Sequence, residues 1–185
     1  MGESDRDLVA QVRAGNRAVF RHLVERWTRS VFRLAYRMTG NEADAEDIVQ
    51  ETFLRAYREL HRYEERSSFG TWIYRIAANC SLDLLRARSR QANGDLPELV
   101  SESPLPDRLS MSEQFRDRFH RSLHLLTDQE RAAFLLRHFE GQSIEQIAGA
   151  LDLSATATKN SIFRAVQKLR RALEPHYICT SPKTS

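Results

Sequence analysis

Apolar residues recur every three or four positions from Asp5 to Arg90, and that period commits the chain to α-helices. Leu8, Val9 and Val12 are followed by Phe20, Leu23, Val24, Trp27, Val31, Leu34, Ala35 and Met38, which line one side of a helix but share no face of a strand. Gly15-Asn16 breaks the run and Gly40-Asn41 ends it, because glycine accepts the left-handed turn that closes a helix. The spacing predicts a third helix from about Ala43 to His61 and a fourth from about Phe69 to Ser89, with Ser67 or Ser68 as its cap. Only 7 Gly and 5 Pro occur in 185 residues, too few for a sandwich or barrel full of tight turns. The expected fold is all-α, in two small helical domains joined by a flexible linker.

The boundary falls where the period stops. QANGDLPELVSESPLPDRLS, from Gln91, holds three of the 5 prolines and an acidic bias, and it reads as a linker. The expected organisation is a first domain over 1–90, a linker over 91–110, a second domain over 111–174 and a short tail over 175–185.

Composition narrows the function by exclusion. A net charge of +3 rules out a histone-like polycation, while the excess of arginine over lysine suits phosphate or carboxylate recognition. Cys80 and Cys179 lie far apart with no CxxC or Cys/His cluster, so neither a disulfide framework nor a zinc site is expected. Cys80 falls on an apolar stripe and reads as a small buried hydrophobe. The start, MGESDRD, is polar, and no run is long and apolar enough for a signal or a membrane span. A cytoplasmic protein with no membrane insertion is expected. No nucleophile–base pair, metal cluster or glycine-rich phosphate loop appears, and His61, His120, His124 and His138 are scattered. An enzyme, a cofactor and a bound metal are therefore not expected.

Three segments carry chemistry. In SIEQIAGALDLSATATKNSIFRAVQKLRRAL, Ser143 with Gln146 fits a capping box, Leu151-Asp152-Leu153 a turn, and Ser154 a second cap. The apolar set Ile144, Ile147, Ala148, Leu151, Leu153, Ile162, Val166 and Leu169 can close a small core. Ala155, Thr156, Lys159, Asn160, Phe163, Arg164 and Lys168 are left on a helix of the kind that enters a major groove. Thr127 and Glu130 form another capping box upstream. In EADAEDIVQETFLRAYREL, Ala45, Ile48, Val49, Thr52, Phe53, Ala56 and Leu60 form a core stripe. The opposite face carries Asp44, Asp47, Gln50, Glu51, Leu54 and Arg58. Carboxylates favour a helix start, which explains the first few, but not Leu54 among polar neighbours. An apolar anchor ringed by charge fits a protein partner equally well. In FGTWIYRIAANCSLDLLRARSR, Trp72, Ile73, Ile76, Ala77, Cys80 and Leu84 belong to the core. Thr71, Tyr74, Arg75, Asn79, Asp83 and Arg86 share the other side, a mixture able to hold single-stranded nucleic acid. A stand-alone dimeric helix-turn-helix regulator explains the third block but leaves the Leu54 and Asn79 faces without a purpose. A purely protein-binding helical adaptor is the other alternative.

In this order, DAEDIVQETFLRAY (Asp44 to Tyr57), FGTWIYRIAANCSLDLLR (Phe69 to Arg86) and LTDQERAAFLLRHFEGQSIEQIAGALDLS (Leu126 to Ser154) resemble the extracytoplasmic-function sigma factors of bacterial RNA polymerase. The likeness runs from Asp7 to Leu173. It implies a sigma2-like bundle and a sigma4-like helix-turn-helix domain. It implies core RNA polymerase as a partner, held through Asp44, Asp47, Gln50, Glu51, Leu54 and Arg58. It implies reading of a single-stranded −10 promoter element by Glu64, Arg66, Ser67, Ser68, Phe69, Tyr74, Arg75 and Asn79. It implies a duplex −35 element on Ala155, Thr156, Lys159, Asn160, Ser161, Phe163, Arg164 and Lys168, and an anti-sigma protein as a further partner. The recognition helix departs from the family's usual T-V-K-S-R, reading A-T-K-N-S from Ala157 to Ser161. Thr158 thus replaces an apolar residue, Ser161 stands where arginine is common, and Val166 holds a position that is often basic.

Overall fold

The computed structural model describes residues 3–92 and 111–174, and among these it contains helices and turns but no strand. Eight α-helices follow in order: α1 (Asp5–Arg13), α2 (Phe20–Thr39), α3 (Glu42–Glu59), α4 (Phe69–Ala92), α5 (Met111–Leu123), α6 (Asp128–His138), α7 (Ile144–Leu151) and α8 (Ala155–Leu173). Short 3-10 turns cover Arg17–Val19 and Leu60–Arg62. The fourth helix runs three residues past the expected Ser89 and takes in Gln91 and Ala92, the first two residues of the expected linker. The rest of that linker and the tail lie outside the described residues.

Local chemistry sets most boundaries. Gly40 ends α2 at φ +71 with its N–H donating to the Tyr36 carbonyl, and the Asn41 side chain accepts from Asp44 N–H to start α3. Ser68 Oγ accepts from Thr71 N–H at 3.1 Å and caps α4. Capping boxes close on Ser4–Asp7, Thr127–Glu130 and Ser143–Gln146, and Ser154 caps α8.

The first domain packs α2, α3 and α4 around Leu23, Val31, Leu34, Met38, Ala45, Ile48 and Ile73, with Leu8 and Val9 of α1 closing one side. Gly70 is required by a close approach: a Cβ there would lie 2.3 Å from Cη2 of Trp27. That indole lies against the first turns of α4, near Phe69 and edge-on to Tyr74, and donates through Nε1 to Asp5 at 3.1 Å. Arg13 of α1 reaches across to the turn after α3, where Nη2 and Nε donate to the Leu60 carbonyl at 2.9 and 3.2 Å and Nη2 also meets the Tyr63 carbonyl. The second domain packs α5 to α8 around Leu123, Leu135, Leu136, Ile147, Leu151, Ala165 and Leu169. The two domains touch, α6 and α7 lying against α2 and α4.

Candidate nucleic-acid and protein interface

On α3 the helical phase separates two kinds of acid. Asp47, Gln50 and Arg58 are exposed and Leu54 is 51% exposed, an apolar side chain standing free among polar ones. Glu51 shares that face and accepts from Arg55 Nε at 2.6 Å, a neighbour that also reaches Asp83 of α4. Hydrogen bonding to Glu51, against the cost of burial, holds the Arg55 guanidinium firmly charged. Asp44 departs from expectation. It is 6% exposed, and both its oxygens are held by the guanidinium of Arg88 from α4. Because α4 packs over the first turn of α3, Asp44 faces that helix and is not on the free face.

The segment between α3 and α4 presents Glu64 and Arg66, both exposed and paired at 2.9 Å, then half-buried Ser67 and exposed Ser68. Ser67's carbonyl accepts from the Tyr63 hydroxyl at 2.7 Å, which pins the loop to the core. On α4, Arg75 is exposed and Asn79 half-buried. Phe69 and Tyr74 are corrected: both are buried, because Trp27 draws them inward into an aromatic cluster with Tyr63 and Trp72. Burial, with Glu140 beside it, pushes the Tyr74 phenol up to about 12. Such rings cannot stack on bases without leaving the core.

In the helix-turn-helix, Asp152 takes the left-handed conformation at φ 54 and turns α7 into α8. Ala155, Thr156, Lys159, Asn160, Phe163 and Arg164 then emerge together on the open side of α8, with Phe163 63% exposed. Ser161 is buried instead. With Thr158, Ala165 and Leu169 it forms the stripe that packs α8 into its domain, and small side chains there let the helices approach closely. Lys168 is also turned inward, its Nζ donating to Glu130 Oε2 at 2.6 Å. Burial opposes ionisation of Glu130, but Lys168 and the Thr127 N–H outweigh it and lower the carboxyl's pKa. Lys168 therefore caps internal charge and is not a free cation for phosphate.

The domains are stitched together by Arg131, Arg37 and Phe139, which the sequence did not single out, and by Gln146 and Thr71, which it read in other roles. Arg131, 5% exposed, donates to the carbonyls of Leu123 and Leu126 and, from the other domain, Met38. Gln146 Nε2 donates to Thr71 Oγ1 at 3.3 Å, and Arg37 lies 4.1 Å over the ring of Phe139. No cluster of three metal-ligating side chains and no helix long and apolar enough to cross a membrane occurs among the described residues.

Comparison with known proteins fits this arrangement. The family model described as Sigma-70 region 2 matches residues 23–91, and that described as Sigma-70, region 4 matches residues 116–169. RNA polymerase sigma-H factor of Pseudomonas aeruginosa is 31% identical over 94% of this chain and 95% of its own length. The ECF RNA polymerase sigma-E factor of Escherichia coli K12 is likewise 31% identical, over 93% of this chain and 95% of its own. The chain belongs to the extracytoplasmic-function sigma factors. Among solved structures, CnrH in complex with the cytosolic domain of CnrY superposes with a TM-score of 0.68 at 28% identity, covering 94% of this chain and 99% of that one. The function of this sigma factor is promoter-directed initiation of transcription, region 2 being built from α2 to α4 and region 4 from α5 to α8.

Proposed function

We propose that α3 docks this sigma factor on core RNA polymerase through Asp47, Gln50, Glu51, Leu54 and Arg58. The observation that carries the reading is Leu54, half exposed at the middle of a charged face. An apolar side chain placed so gains by burial in a partner, and its polar surround excludes water from the rim. The Glu64–Ser68 loop with Arg75 and Asn79 takes the −10 element as a single strand and keeps it melted, the amide reading a base edge and the arginines following phosphates. Ala155, Thr156, Lys159, Asn160, Phe163 and Arg164 meet the −35 duplex, Lys159 and Arg164 on phosphate and Phe163 on the thymine methyl edge. The chain acts by binding, without catalysis of its own, in the cytoplasm where polymerase and promoter are found. The likeness to CnrH, solved with CnrY, supports an anti-sigma protein as its regulator.

The test is transcription by purified core polymerase with and without the chain on fragmented genomic DNA, with start sites sequenced. The reading requires starts that appear only when the chain is added and that share two upstream elements. Asn79→Ala should lower permanganate reactivity of thymines in the melted region while core affinity stays unchanged. Equal reactivity in variant and parent would remove Asn79 from the −10 surface.

A further inference from the structure

We infer that α1 is a positioning element for −10 recognition, and that its Arg13 sets the Glu64–Ser68 loop in the shape that receives the single strand. The inference rests on the functional reading above, which gives that loop and α4 to the −10 element. The loop has little core of its own: Glu64, Glu65, Arg66 and Ser68 are exposed and Ser67 is half-buried. Fixing such backbone costs conformational entropy at every residue. Contacts within the protein meet that cost in advance, or the strand meets it on binding and is held more weakly.

α1 supplies those contacts at both ends of the loop. It is itself anchored, since Leu8, Val9 and Val12 are buried. At the near end, Arg13 in its last turn donates to the Leu60 carbonyl from Nε and Nη2 at 3.2 and 2.9 Å, and Nη2 also meets the Tyr63 carbonyl. The same guanidinium lies 5.8 Å from the centre of the Tyr63 ring. The Tyr63 hydroxyl then donates to the Ser67 carbonyl at 2.7 Å, which carries the constraint across the loop. Midway, Arg6 pairs with Glu65 at 2.6 Å, a surface pair that adds little. At the far end, Asp5 accepts from Trp27 Nε1 at 3.1 Å, and that indole packs on Gly70 in the first turn of α4. Arg13 turns its remaining nitrogen, Nη1, toward Glu65 at 4.0 Å, so its donors serve the protein and not a phosphate. A planar fork can bridge two carbonyls three residues apart, whereas a lysine ammonium is a point charge.

Arg13→Lys separates positioning from contact, because it keeps the charge and removes the fork. Tyr63→Phe keeps the ring and removes one donor, the hydroxyl on Ser67. Holoenzyme made with each variant is titrated with the fluorescein-labelled non-template strand of a promoter found by start-site sequencing, beside a scrambled strand. Both variants should bind the promoter strand about three- to tenfold more weakly than the parent, with affinity for the scrambled strand and for core polymerase unchanged. In the free chain, the Glu64–Ser68 amides should exchange hydrogen faster in both variants, while those of α2 keep the parent's protection. Parent-like promoter-strand affinity in Arg13→Lys overturns the inference, since any cation would then serve. Equal weakening on promoter and scrambled strands does so too, as does unchanged exchange in the loop. If Arg13→Lys loses core affinity and so fails to fold, Tyr63→Phe decides by the same measurements. A parent holoenzyme that binds promoter and scrambled strands alike refutes the functional reading itself, and the inference with it.

Discussion

Asp44 and Asp47 lie three residues apart on α3, yet one is enclosed by Arg88 and the other faces solvent. Helical phase read from sequence places both on the face opposite the core stripe, and only the course of α4 above the first turn distinguishes them. Asp44→Asn should destabilise the chain by about 2 kcal/mol in urea unfolding, the scale of a hydrogen-bonded charge lost from a buried site. Asp47→Asn should stay within about 0.5 kcal/mol of the parent. Leu54 was legible, since an apolar residue off the core stripe stands out in any helical projection. Leu54→Ala should weaken core binding by about 2 kcal/mol, near thirtyfold, with no loss of melting temperature, by titration against core polymerase. Unaltered affinity would leave that face without its anchor.

At the scale of the helix, caps and turns were the readable part. The capping boxes Thr127–Glu130 and Ser143–Gln146 and the Ser154 cap depend on side chains that bond three residues along, so local sequence contains both partners. Ser161, Phe69 and Tyr74 were misplaced for the opposite reason. A serine on a core stripe and aromatics beside a DNA-like surface are decided by neighbours from other helices, Trp27 above all. Lys168 and Arg164, one turn apart on α8, separate the two roles experimentally. Lys168→Met should lower the melting temperature, because Glu130 is left buried without its cation. Arg164→Ala should leave melting unchanged and reduce run-off transcription from promoters that depend on the −35 element. The reverse pattern would interchange their roles.

Across the whole molecule, nothing in sequence announced that Met38 and Arg131, 93 residues apart, would share a hydrogen bond. Two imidazoles lie at the same contact, His120 half-buried and His124 exposed on one side with its ring against Gly40. His120 is lowered by burial and by Arg37 and Arg116, with Asp117 opposing and the Tyr36 ring edge-on. His124 is lowered by burial and by Arg131 and His120, with Asp128 opposing and Gly40 against the ring. Separating the domains returns both toward the ordinary value near 6.5, so the open form binds protons more readily. Closure is therefore fully favoured above about pH 6.5 and is lost as pH falls below it. Energy transfer between the two domains should drop between pH 7 and pH 5, and His120→Gln/His124→Gln should flatten that profile. A flat profile in the parent would contradict the assignment.

The reach of Arg13 to the Leu60 and Tyr63 carbonyls bears on how such proteins are dissected. The stretch that matches the family's region 2 begins at residue 23, whereas the brace for the loop ahead of α4 comes from α1. A fragment excised at that family boundary would keep every residue proposed to read the −10 strand and lose the strut that fixes the loop bearing several of them.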